Sequence, residues 1–165
     1  METSDVSVDN TSGSVRAGVE DEARKSMLQV IRNIDHLCPL RPLGPKFQTE
    51  INTLLEDRWL AKKVDRTRRL REHTDFLNNY LPELFRRKGK FVDIGPGPGE
   101  SMEIARALGS VAIGYDAPTI EGGMGDSYLE YSKLMHFRQM LNVKYVTRDV
   151  ILRDVRDVDF VVMRG

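Results

Sequence analysis

The run FVDIGPGPGES, residues 91–101, constrains the fold more than any other part of the chain. FVDI reads as a short buried strand, and the helical pattern ESMEIARALG begins at Glu100. Glycines stand between them at 95, 97 and 99. A residue without a Cβ lets the chain turn tightly and bring its backbone against a ligand. The helix that follows offers N–H groups with no partner inside the helix. In a βαβ unit this turn lies at the carboxyl edge of a parallel sheet. Ligands bind there, near the point where strand order reverses.

The rest of the C-terminal half continues the alternation. VAIGYD (111–116), VKYVT (143–147) and DFVVM (159–163) read as further strands, with a helix predicted over 127–141 behind a Ser127/Glu130 capping box. Strands alternating with helices predict an α/β protein with a parallel sheet of about four strands. The first half reads differently. Residues 1–20 are Ser/Thr/Asp/Gly-rich and are expected to form a disordered tail, followed by a helical region over 21–89 and the sheet domain over 90–165. Within the helical region Met27, Val30, Ile31 and Ile34 share one helical face. CPLRPLGP (38–45), with three prolines and a glycine, must be a connector. Phe47, Ile51, Leu54, Leu55, Trp59 and Leu60 predict one long amphipathic helix, and a second is expected near Asp75 to Phe85 that Pro82 shortens or kinks.

Bulk properties exclude several classes. The 25 Lys and Arg balance 25 Asp and Glu, so overall charge does not argue for nucleic acid or membrane. Hydrophobic residues make up 40%, which points to part of the chain being unpacked. The single cysteine, Cys38, rules out an internal disulfide framework and suits a reducing compartment. The polar N-terminus has no apolar signal region, and no stretch approaches the ~18–20 apolar residues of a membrane span. The expected location is the cytoplasm.

The glycine spacing separates two cofactor classes. Dinucleotide enzymes use G-x-G-x-x-G; here it is G-x-G-x-G, with Asp93 two residues before the first glycine. A carboxylate there opposes a pyrophosphate, but it can hold an ammonium group or the N–H donors of the turn. This combination resembles motif I of the class I S-adenosylmethionine-dependent methyltransferases. The likeness continues in order: Asp116 ends the second strand, Asp149 follows VKYVTR, and VDFVVM looks like the family's fourth strand, led by Asp159. It covers residues 91–163 and none of the first 89. The resemblance implies a Rossmann-like domain with S-adenosylmethionine as cofactor, held by Asp93, Gly95, Pro96, Gly97, Gly99, Asp116, Ala117 and Asp149. In that family Asp116 would bind the ribose hydroxyls and Asp149 the adenine amino group. DVILRDVRDVD also offers Asp154 and Asp157 near Asp149, which could itself be a solvated acid, and Asp159 reads as structural. No metal is expected.

The methyl acceptor is not legible, and a small molecule or sugar is the favoured class. The Asn/Asp-Pro-Pro-Tyr signature of amino-group methyltransferases acting on bases is replaced by MRG (163–165). Arg164 could steer an anionic acceptor, or stand solvated. The segment 117–137, with Gly122, Gly123 and Gly125, reads equally as a lid or a connector. His136 is a candidate base, although a helix-surface or half-buried histidine fits better, and Cys38 reads as a small apolar residue. The run KKVDRTRRLR, from Lys62 to Arg71, raises nucleic acid as a partner, since residues 62–90 hold ten Lys and Arg against four acids. No aromatic platforms interleave with it, so a solvated face is preferred. The family's full sheet has seven strands and four are read here. The chain is therefore expected to be a fragment, a remnant, or one whose sheet a partner completes, with association through an exposed sheet edge. A non-catalytic binding or assembly module is the second functional reading. A dinucleotide oxidoreductase, set back by the glycine spacing, is the third.

Overall fold

The computed structural model describes residues 11–118 and 126–163. The first ten residues of the expected tail, the glycines of the expected lid and Arg164 lie outside them, as do the side chains of Met27 and Ile31. The chain runs through α1 (Thr11–Leu37), α2 (Pro45–Leu55), α3 (Arg58–Lys63), α4 (Arg66–Tyr80) and a 3-10 turn (Pro82–Phe85). It continues through β1 (Lys90–Ile94), α5 (Glu100–Ala107), β2 (Val111–Asp116), α6 (Asp126–Arg138), β3 (Val143–Tyr145), α7 (Arg148–Asp154) and β4 (Phe160–Met163).

All strand pairs are parallel, in the order β3-β2-β1-β4. The chain lays β2 and β3 to one side of β1 and then crosses to place β4 on the other. Strand order therefore reverses at β1, and the glycine turn leaves β1 at that point. The α/β class is as expected, and the four-stranded parallel sheet is consistent with a Rossmann-like fold.

The register puts Phe91 level with Phe160 and Asp93 level with Val162. Paired residues in parallel strands share a face, and these four are buried. Their face packs against Met102, Ile104 and Ala105 of α5, beyond which lie Leu70 and Leu77 of α4 and Val30 and Ile34 of α1. On the opposite face Val161 and Met163 are exposed. A second cluster joins Ile51 of α2, Leu60 of α3 and Val64 to Tyr131 and Met135 of α6. The N-terminal helices therefore wrap the same side of the sheet as α5 and α6.

Several helix boundaries differ from expectation, among them that of α6, which spans Asp126–Arg138 where 127–141 is expected. α1 begins at Thr11 rather than Asp21, so residues 11–20 are helical and not a tail. That turn-rich start leads into VRAGVEDEARK, whose Ala, Glu, Arg and Lys are good helix formers, and Asp21 pairs with Lys25 one turn on. The helix predicted through Phe47 and Leu60 is broken in two. Asp57 ends it by accepting N–H bonds from Trp59 (2.8 Å) and Leu60 (3.2 Å), which caps α3. Asp65 caps α4 in the same way through the Arg68 N–H, so that helix starts nine residues before Asp75. It stops at Tyr80, and Pro82 opens the 3-10 turn, where its missing N–H is not needed.

Candidate functional site

Gly95, Gly97 and Gly99 all adopt left-handed backbone, with φ of 72°, 55° and 98°. The Gly95 N–H donates to the Tyr115 carbonyl at 2.8 Å, which ties the turn to β2. The turn forms the floor of a cavity of about 500 Å³ lined by Lys63, Arg69, His73, Asp93, Gly95, Pro96, Gly97, Asp116, Tyr128, Leu129 and Ser132. That volume falls in the range of small-molecule sites.

Five of the eight residues singled out in the sequence meet here: Asp93, Gly95, Pro96, Gly97 and Asp116. Three do not line the cavity. Gly99 is the N-cap of α5, and a Cβ there would run into Leu141 Cδ1, so its bareness serves packing. Ala117 is exposed and gives its N–H to Asp116 Oδ1 at 2.9 Å. Asp149 stands exposed in the first turn of α7. Asp159, read as structural, accepts from the Lys90 N–H (2.8 Å) and from Arg87 (2.9 Å).

The cavity has an acidic and a basic end. Asp93, 2% exposed, comes from β1, and Asp116 from the end of β2. Burial raises the Asp116 carboxyl above its ordinary value, and the Ala117 N–H works against that shift. The opposite wall is built from α3, α4 and α6. Arg69 grips Glu100 through Nε at 2.6 Å, and His73 Nδ1 lies 2.9 Å from Ser101 Oγ. One turn deeper, Arg66 takes both Glu103 oxygens at 2.7 and 2.8 Å and also donates to the Cys38 carbonyl. Gln139 closes the cluster with a short hydrogen bond to Glu103. Thus two cations of the run 62–71 are spent inside the molecule on the acids that follow the glycine turn, which weakens its reading as a phosphate-binding face.

The cavity-lining residues not foreseen are Lys63, Arg69, His73, Tyr128, Leu129 and Ser132. A signal for part of this set exists: Arg66, Arg69 and His73 recur at three and four residues, one stripe of a helix, and Glu100 and Glu103 form a matching stripe on α5. At the rim, the Lys63 ammonium lies 4.7 Å from the Trp59 ring centroid and 4.6 Å from that of Tyr128.

His136 lies behind the turn and does not line the cavity. Its Nε2–H donates to the Gly97 carbonyl at 2.5 Å, because a carbonyl can only accept. Nδ1 then accepts from the Tyr145 hydroxyl at 2.7 Å. Burial holds the ring below the ordinary imidazole value, so the neutral form is the one in place. It braces the turn and is not placed to take a proton from a ligand in the cavity. Among the described residues no helix is long and apolar enough to cross a membrane. Compared with family models, with curated proteins and with solved structures, the chain matches none.

Proposed function

We propose that the cavity binds S-adenosylmethionine and that the chain is built on the plan of a class I methyltransferase, transferring a methyl group to an acceptor. One observation carries this reading: a bare glycine turn at the point where strand order reverses shares a single cavity with Asp93 and Asp116. The donor set fits the cofactor. A zwitterionic amino-acid end needs an anion and a cation, and Asp93 and Arg69 supply them across the turn. Glu100 and the Lys63 carbonyl take three of the five N–H donors of Arg69, and the other two can serve a carboxylate. A ribose needs an acceptor for its hydroxyls, and Asp116 has the place at the end of β2 for that role. A Cβ on Gly97 would lie 2.7 Å from the Tyr128 hydroxyl, filling the cradle. Asp149, exposed on α7, adds nothing to the case.

When bound, the cofactor supplies an electrophilic methyl on a sulfonium. The residues of the chain do the rest. Asp93 and Arg69 hold the amino-acid end by opposite charges, which fixes its direction. Asp116 fixes the sugar. Leu129 and Pro96 present apolar surface that limits water, a help where charge on sulfur is to be lost. Orientation of this kind can lower a barrier by up to ~7–11 kcal/mol in well-aligned systems.

Calorimetric titration of the chain with S-adenosylhomocysteine, with NAD as control, is the test. Saturable binding of the former alone is expected. A folded sample that binds neither, or that binds NAD instead, overturns the reading.

A further inference from the structure

The geometry points to Lys63 as a methyl acceptor, so that the chain modifies its own side chain within one molecule. The inference rests on the cofactor reading above and goes beyond it by committing the acceptor to an amine. Lys63 lines the same cavity as Asp93, Gly97 and Asp116. Its ammonium is held between the faces of Trp59 and Tyr128, at 4.7 and 4.6 Å from their centroids. No carboxylate lies within ion-pair distance of it among the described residues, in contrast with Arg66 and Arg69, which are both paired to glutamates. Two aromatic faces around one nitrogen form the arrangement that recognises alkylated ammonium groups. Here the lysine of the chain occupies that place at the mouth of the cofactor cavity.

The chemistry suits an amine better than a hydroxyl. The exposed Lys63 first releases a proton to water. Its nitrogen lone pair then forms a bond to the methyl carbon of the sulfonium donor, the carbon–sulfur bond breaks, and that electron pair stays on sulfur. Positive charge leaves sulfur and arrives on nitrogen. Trp59 and Tyr128 face that nitrogen, so their electron-rich rings favour the charge as it arrives and retain the methylated product. A hydroxyl acceptor ends neutral and draws nothing from the rings.

The test has two readouts. The chain contains one tryptophan, Trp59, so intrinsic fluorescence reports directly on the cage. S-adenosylhomocysteine is expected to shift that emission, and Lys63→Met to change it before any ligand is added. In parallel, the chain is incubated with S-adenosylmethionine bearing a deuterated methyl group, digested, and mapped by mass spectrometry, with heat-unfolded chain as background. Label is expected on Lys63, with a first-order rate independent of protein concentration. Lys63→Arg should lose the label, while Lys62→Arg should keep it and bind S-adenosylhomocysteine like the parent. Tyr128→Leu should slow labelling about tenfold, and Tyr128→Phe, which keeps the ring, much less. Binding without label on Lys63, label spread equally over surface lysines, or a rate that rises with protein concentration overturns this inference and leaves the cofactor reading standing. Absence of S-adenosylhomocysteine binding overturns both.

Discussion

Gly97 and Gly99 stand two residues apart, share left-handed backbone and do different work. A side chain at Gly97 would meet the Tyr128 hydroxyl at 2.7 Å and Arg69 at 3.7 Å, inside the cavity. One at Gly99 would meet Leu141 and His136, in the packing beneath α5. Gly97→Val is therefore expected to abolish S-adenosylhomocysteine binding in calorimetry. Gly99→Val should act first on the thermal midpoint, and comparing ligand affinity with melting temperature for the pair separates the two roles. Asp116→Ala should weaken binding by roughly 1–3 kcal/mol, the value of a hydrogen bond to a charged group. If Gly97→Val and Asp116→Ala both bind like the parent, the ligand lies elsewhere.

Between elements, the strongest polar tie is the one from α4 to α5. Arg66 and Glu103 form a bidentate pair with side chains 14% and 1% exposed. Removing one partner strands a buried charge, so Glu103→Ala should cost about 3–5 kcal/mol in chemical denaturation, whereas the double change Arg66→Met with Glu103→Met should recover much of that loss. His136 ties α6 and β3 to the glycine turn, and burial favours its neutral form. The unfolded chain takes up a proton near pH ~6.5, and the folded chain resists it to a lower pH. Stability from this residue is thus complete above that value and is lost as pH falls through the lowered folded value. Denaturant midpoints measured down to about pH 5 should fall for the parent and stay flatter for His136→Gln. Asp116, whose carboxyl is raised by burial, pulls the other way as pH falls.

The strands of the sheet and the turn at β1 were legible because their apolar runs and glycines are local signals. The break at Asp57 was hidden, since Leu55, Trp59 and Leu60 keep a helical spacing across it. The basic wall of the cavity was hidden too: that Arg69 faces Glu100 depends on how α4 crosses α5, which no local pattern specifies. The resemblance implies a ligand role for Asp149, whereas α7 begins at Arg148 and leaves that residue exposed.

At the scale of the molecule, the helical region and the sheet share one core. Val30, Ile34, Leu70 and Leu77 lie in the same buried cluster as Phe91, Met102, Ile104 and Phe160. Unfolding should therefore be a single event, with Trp59 fluorescence in α3 and far-ultraviolet circular dichroism giving coincident transitions. A chain starting at Lys90 should not hold its sheet, because the apolar side of α5 would face water; separate transitions, or a stable 90–165 piece, would show two independent domains. Cys38 sits in this shared core, 5% exposed, with its thiol pushed up to about 12 by burial and by the nearby Glu103. Alkylating reagents attack the thiolate, which such a site withholds at neutral pH. The closed molecule should thus ignore iodoacetamide, and each covalent capture records one parting of helices from sheet. At high reagent concentration the capture rate becomes the opening rate itself, read from the unaltered chain.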